Sequence, residues 1–114
     1  MTNWEEKRYY KRYNAALPVD IICTKTKALI SHGITRNISF GGLSIVIEKE
    51  IDGTPNYIFE LTSPKGKKVS LTGTISWKHP EYQKMSYGVQ FHNLGFFKTI
   101  SFKSFIDDIT KMNG

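Results

Sequence analysis

From Leu17 to Phe91 the apolar residues of this chain alternate with polar ones in short runs, each ended by turn-forming residues. Side chains that alternate with period two fit a half-buried strand, whose neighbouring residues point to opposite faces. Leu17, Val19, Ile21 and Cys23 share one face while Asp20 and Thr24 take the other, with Pro18 at the strand entry and Cys23 expected as a small core residue. A second strand is expected over residues 28–36, interrupted by Gly33, and then a turn over residues 37–42. Leu43, Ile45 and Ile47 form the third alternation. The run Asp52-Gly53-Thr54-Pro55-Asn56 is loop punctuation, after which residues 57–61 and 69–77 make a hairpin around the basic turn Pro64-Lys65-Gly66-Lys67-Lys68. A loop at Pro80 leads to the sixth strand, residues 85–91. Six short strands at such spacing predict a mainly β fold, a small closed antiparallel barrel, because closure removes the edges that an open sheet leaves bare.

The period changes after the sixth strand. Phe102, Phe105, Ile106, Ile109 and Met112 recur every three or four residues, with Lys103, Asp107, Asp108 and Lys111 opposite. This is an amphipathic helix whose apolar stripe packs on the barrel. The first 13 residues are charged and aromatic without a hydrophobic stripe, and they read as a mobile basic arm. With 114 residues there is room for one core. The organisation expected is an arm over residues 1–13 and a single barrel-plus-helix domain over 14–114.

Sixteen Lys and Arg against ten Asp and Glu give a net charge of +6, which favours anionic partners. The single cysteine excludes an internal disulfide, the N-terminus lacks the apolar core of a secretory signal, and no apolar run reaches membrane-spanning length. A cytoplasmic location without a transmembrane segment is expected. His32, His79 and His92 are scattered, with no partners at metal-ligand spacing, and there is no Walker loop, serine elbow or paired-carboxylate motif. The chain is therefore expected to bind no metal or cofactor and to catalyse no reaction.

Two short patterns remain. Arg8-Tyr9-Tyr10-Lys11-Arg12 is an R-x-x-x-R, and Asn37-Ile38-Ser39-Phe40-Gly41-Gly42 is an N-x-S-x-x-G. Two guanidinium forks match phosphate oxygens and the O6/N7 edge of guanine, and the second pattern offers an amide, a hydroxyl and a glycine-permitted turn. Taken singly, like charges four apart are usually a solvated face, and an Asn–Ser–Gly turn usually bonds its own backbone. Taken together, they describe a site for an anionic guanine nucleotide.

With these two motifs, the Gly73-Thr74-Ile75-Ser76-Trp77 and Tyr87-Gly88-Val89-Gln90-Phe91 strands occur in the order found in PilZ domains, and the chain resembles that family of bacterial cyclic di-GMP receptors. The resemblance implies a six-stranded barrel followed by a helix, with cyclic di-GMP as ligand. It implies that Arg8 and Arg12 contact phosphate and the guanine Hoogsteen edge, that Asn37 meets a guanine edge and that Ser39 meets a nearby polar atom or phosphate. Gly42, with Gly41, would let backbone approach the ligand. Lys7 and Trp77 are weaker nominations, the latter as a surface beside the second guanine. Many members carry Asp where this chain has Asn37; an amide offers one carbonyl acceptor to guanine N1–H and N2–H₂, so binding equal to or weaker than theirs is implied. Ligand bound between arm and turn would order the arm and signal to a separate protein partner. Two other readings are a ligand-independent PilZ adaptor and a single-stranded nucleic-acid barrel, for which the basic aromatic run 7–13 speaks. The aromatic-rich signature of RNA-reading strands is missing, so nucleic acid is not the expected partner.

Overall fold

The computed structural model describes residues 11–53, 55–92 and 94–113, the last three by their backbone alone. The strands are β1 (Tyr13–Asn14), β2 (Pro18–Cys23), β3 (Leu29–Ile38), β4 (Gly42–Ile47), β5 (Tyr57–Thr62), β6 (Lys68–Glu81) and β7 (Lys84–Phe91), followed by the helix α1 (Gly95–Asn113). Six of them close a ring in the order β3-β2-β5-β6-β7-β4 and back to β3, every pairing antiparallel. The short β1 is the extra strand. It continues the line of β2 along β3, with Tyr13 opposite Ile38 and Pro18 opposite Ile34. Between them the buried Thr35 hydroxyl accepts from the Leu17 N–H and donates to the Ala15 carbonyl, satisfying backbone groups that the interrupted ladder leaves over.

The inward residues of the alternating runs make one core, including Val19, Ile21, Ile45, Phe59, Leu61, Leu71 and Tyr87. Helix α1 closes it by burying Phe102, Phe105, Ile106 and Ile109, the stripe read from the sequence; the side chain of Met112 lies outside the described residues. Phe102 is the joint: its ring meets Phe40 and Phe91 edge to face at 5.3 and 5.5 Å. At the other end of the barrel the Tyr87 hydroxyl accepts from the Ile51 N–H at 2.9 Å, and the Tyr57 hydroxyl donates to the Asp52 carbonyl at 2.6 Å, pinning the β4–β5 loop.

Three local expectations are corrected. Asn37 lies in β3 and not in a turn, because a bulge between Thr35 and Asn37 lets the strand run on to Ile38. Pro80 lies in β6: the strand continues to Glu81, paired with Lys84, and only Tyr82 and Gln83 form the loop. Proline is tolerated there because the last β5 partner on β6 is Gly73, so beyond it the second edge of β6 has no neighbouring strand to receive an N–H. Cys23, at the end of β2, is only half-buried. Hydrogen bonding from Thr26 pulls its thiol below the ordinary range.

Candidate functional site

The bulge in β3 decides which side chains face outward. Thr35 and Ile38 are buried, so the two residues between them, Arg36 and Asn37, both fall on the outer surface. From Asn37 a row runs across four strands: Asn37 is opposite Ser44 on β4, Ser44 opposite Gly88 on β7, and Gly88 opposite Trp77 on β6. A Cβ at Gly88 would collide with the Trp77 indole, so the glycine is the seat on which that ring rests. A second bulge, between Ile75 and Trp77, makes room for Ser76 beside it.

The turn of residues 39–41 carries its own hydrogen-bond network. The Ser39 hydroxyl accepts from the Gly41 and Gly42 N–H groups and donates to the Gly42 carbonyl, each at 3.2 Å, while the Ser39 N–H donates to the same carbonyl at 2.8 Å. One donor and two acceptor sites are then all in use. Ser39 is 8% exposed. Its hydroxyl holds the turn. Gly42 has a structural demand of its own, since a Cβ there would collide with the Val89 carbonyl oxygen of β7.

Beside this turn lies a cleft of about 440 Å³, within the range of small-ligand sites. Arg12, Asn37, Ser39, Gly41, Gly42 and Trp77 all line it. Arg12 arrives from the residue before β1, whose pairing with Ile38 aims the preceding chain past the 39–41 turn. The structure thus brings together residues from both motifs and from the end of the Gly73–Trp77 strand. Arg8 and Lys7 lie outside the described residues. Ser44, Gly88 and Gln90 also line the cleft and were not expected from the sequence as site residues, although Gly88 and Gln90 belong to the Tyr87–Phe91 strand pattern. For Gly88 the signal was present, an interior strand glycine marking a close approach; for Ser44 and Gln90 only the register discloses it.

A larger groove of about 1010 Å³ runs over the other end of β3, past the exposed Leu29, Ile30 and Ile34, and contains none of the described motif residues. Among the described residues no group of three or more His, Cys, Asp or Glu stands together as a metal site. No described helix is long and apolar enough to cross a membrane.

The family model described as PilZ domain matches residues 6–96, most of the chain and all the described strands. The chain belongs to the PilZ family. Solved structures agree on the fold at low identity. This PilZ domain is similar to the PilZ domain of Escherichia coli YcgR with c-di-GMP, at 12% identity and TM-score 0.71 over 94% of both chains. It is similar to the Bacillus subtilis inhibitor of motility MotI/DgrA at 15% identity and TM-score 0.66, over 91% of this chain and 51% of that one. The PilZ domain of CeSA from a cellulose-synthesizing bacterium matches at 16% identity and TM-score 0.57, over 91% and 99%. The chain thus spans about half the length of the Bacillus protein. No curated protein sequence matches it at a significant level.

Proposed function

We propose that this PilZ domain is a receptor for cyclic di-GMP, held between the basic N-terminal arm and the 37–42 segment. The observation that carries the reading is that Arg12 lines the same cleft as Asn37, although 24 positions separate them in the sequence. The family membership and the c-di-GMP in the YcgR structure support it. Arg12, with Arg8 four residues earlier in the sequence, supplies guanidinium forks for phosphate and the guanine Hoogsteen edge. Asn37 offers its amide to a guanine edge. Ser39 and Gly42 serve by holding the turn and the β4–β7 contact, so that their effect on ligand runs through the backbone. Gly41 borders the ligand, and the Trp77 face, 45% exposed, is placed to stack with a base. Lys7 adds charge at the arm. The role is recognition and not catalysis, and the ordered arm presents a new surface to a protein partner.

Isothermal titration with cyclic di-GMP tests this, with GMP and cyclic di-AMP as controls. Arg12→Ala is expected to abolish measurable binding with an unchanged circular dichroism spectrum. Retention of parental affinity by Arg12→Ala, or by the Arg8→Ala, Arg12→Ala double variant, would overturn the reading.

A further inference from the structure

Beyond Gly73, the last residue of β6 paired with β5, residues 74–81 of β6 pair with one strand only, β7, and side-chain bonds from Thr74 to Asn56 and from Lys78 to Glu50 tie them to the β4–β5 loop. This overhang carries Trp77, one wall of the cleft, while Asn37 on β3 stands on the other. At its end Glu81 meets Arg36, the residue that the β3 bulge turns outward next to Asn37. The pair is bidentate: Arg36 Nη1 donates to Glu81 Oε2 at 2.7 Å and Nη2 to Oε1 at 2.6 Å. The fork therefore spans from β3 to the hairpin tip across the two intervening strands, β4 and β7. Fork-to-fork geometry fixes both distance and orientation, unlike a single ionic contact.

We propose that Arg36 and Glu81 are positioning residues for the ligand site: their clasp holds the overhanging hairpin against β3 and so steadies the separation of Trp77 from Asn37 that the strand register sets. The proposal rests on the cyclic di-GMP reading for its functional consequence, and on the hairpin geometry alone for its structural one. It has a counter-intuitive corollary. Were Glu81 merely a negative charge near the cleft, or a competitor that keeps Arg36 from the ligand, removing the charge would tighten binding of an anion. If Glu81 clasps, removing its charge loosens the wall and weakens binding.

The test uses a Trp4→Phe parent, in which Trp77 is the only tryptophan. Glu81→Gln, Arg36→Gln and their double variant are titrated with cyclic di-GMP, and acrylamide quenching of Trp77 is measured without ligand. Each single variant is expected to lose about tenfold in affinity and the double to lose no more than the worse single, because the two residues act through one contact. Arg36→Lys, which keeps the charge without the fork, falls between. Trp77 quenching rises in both singles and no further in the double. Tighter or unchanged binding in Glu81→Gln overturns the proposal, as does unchanged quenching in every variant. A parent that binds no cyclic di-GMP defeats the receptor reading, and quenching then decides the clasp by itself.

Discussion

Gly42 is the residue whose motif role and structural role diverge most. The motif reads it as a place where backbone approaches ligand, yet a Cβ there would strike the Val89 carbonyl oxygen within the barrel wall. Backbone atoms of a paired strand cannot rotate aside as a side chain can. Gly42→Ala is therefore expected to lower stability by about 2 kcal/mol or more in urea unfolding, whether or not ligand is present. A ligand-only effect with parental stability would contradict this. Cys23 makes a similar point about faces. Alternation assigned it to the core, but at the strand end it is half-buried, and the Thr26 hydrogen bond favours its thiolate. The native protein should react with Ellman's reagent without denaturant at pH 7, faster than an unperturbed thiol. A thiol that labels only after unfolding would restore the core assignment.

Among the elements, the helix was the most legible and the hairpin the least. The stripe Phe102, Phe105, Ile106 and Ile109 stands out because helical period depends only on residues three and four apart. Phe102 joins the 39–41 turn to the end of β7 through its contacts with Phe40 and Phe91. Phe102→Ala is expected to cost about 3–5 kcal/mol in urea unfolding, a cavity effect, and to weaken ligand binding through the turn. Affinity equal to the parent's in the folded variant would show that the turn is held without the helix. Pro80 pointed to a loop because proline cannot serve a ladder on its N–H side; that β5 stops opposite Gly73 is a fact about another strand, invisible from Pro80 itself. Asn37 reads as a turn residue for the same reason: a bulge, which local composition does not announce, carries β3 two residues beyond Arg36, to Ile38.

At the scale of the whole molecule, the clasp links stability to pH. The Arg36 guanidinium holds the Glu81 carboxyl down at about 2 against an ordinary 4.5, with the nearby Ser86 hydroxyl adding to the effect. A carboxyl lowered in the folded state contributes stability in full above its unfolded value. That contribution declines as pH falls from about 4.5 and is gone once pH passes below about 2. Both side chains are partly exposed, at 49% and 27%, so solvent screening keeps the effect modest. Thermal melts between pH 6 and pH 2.5 should show a shallower acid loss for Glu81→Gln than for the parent. Parallel curves would mean that the pair does not contribute in solution.

The sequence by itself determined the strand alternation, the amphipathic helix and the identity of the two polar motifs, because each depends on residues a few positions apart. It also carried the family, since four motifs in order are a linear signal. What only the tertiary structure decided is which of these residues meet. Closure of β4 onto β3 and β7 set the row from Asn37 to Trp77, the continuation of β2 by β1 brought Arg12 beside the 37–42 segment, and the bulge turned Arg36 and Asn37 to one side. Strand register and barrel closure are properties of pairs distant in sequence, fixed by how the whole hydrophobic core packs. No local window contains them.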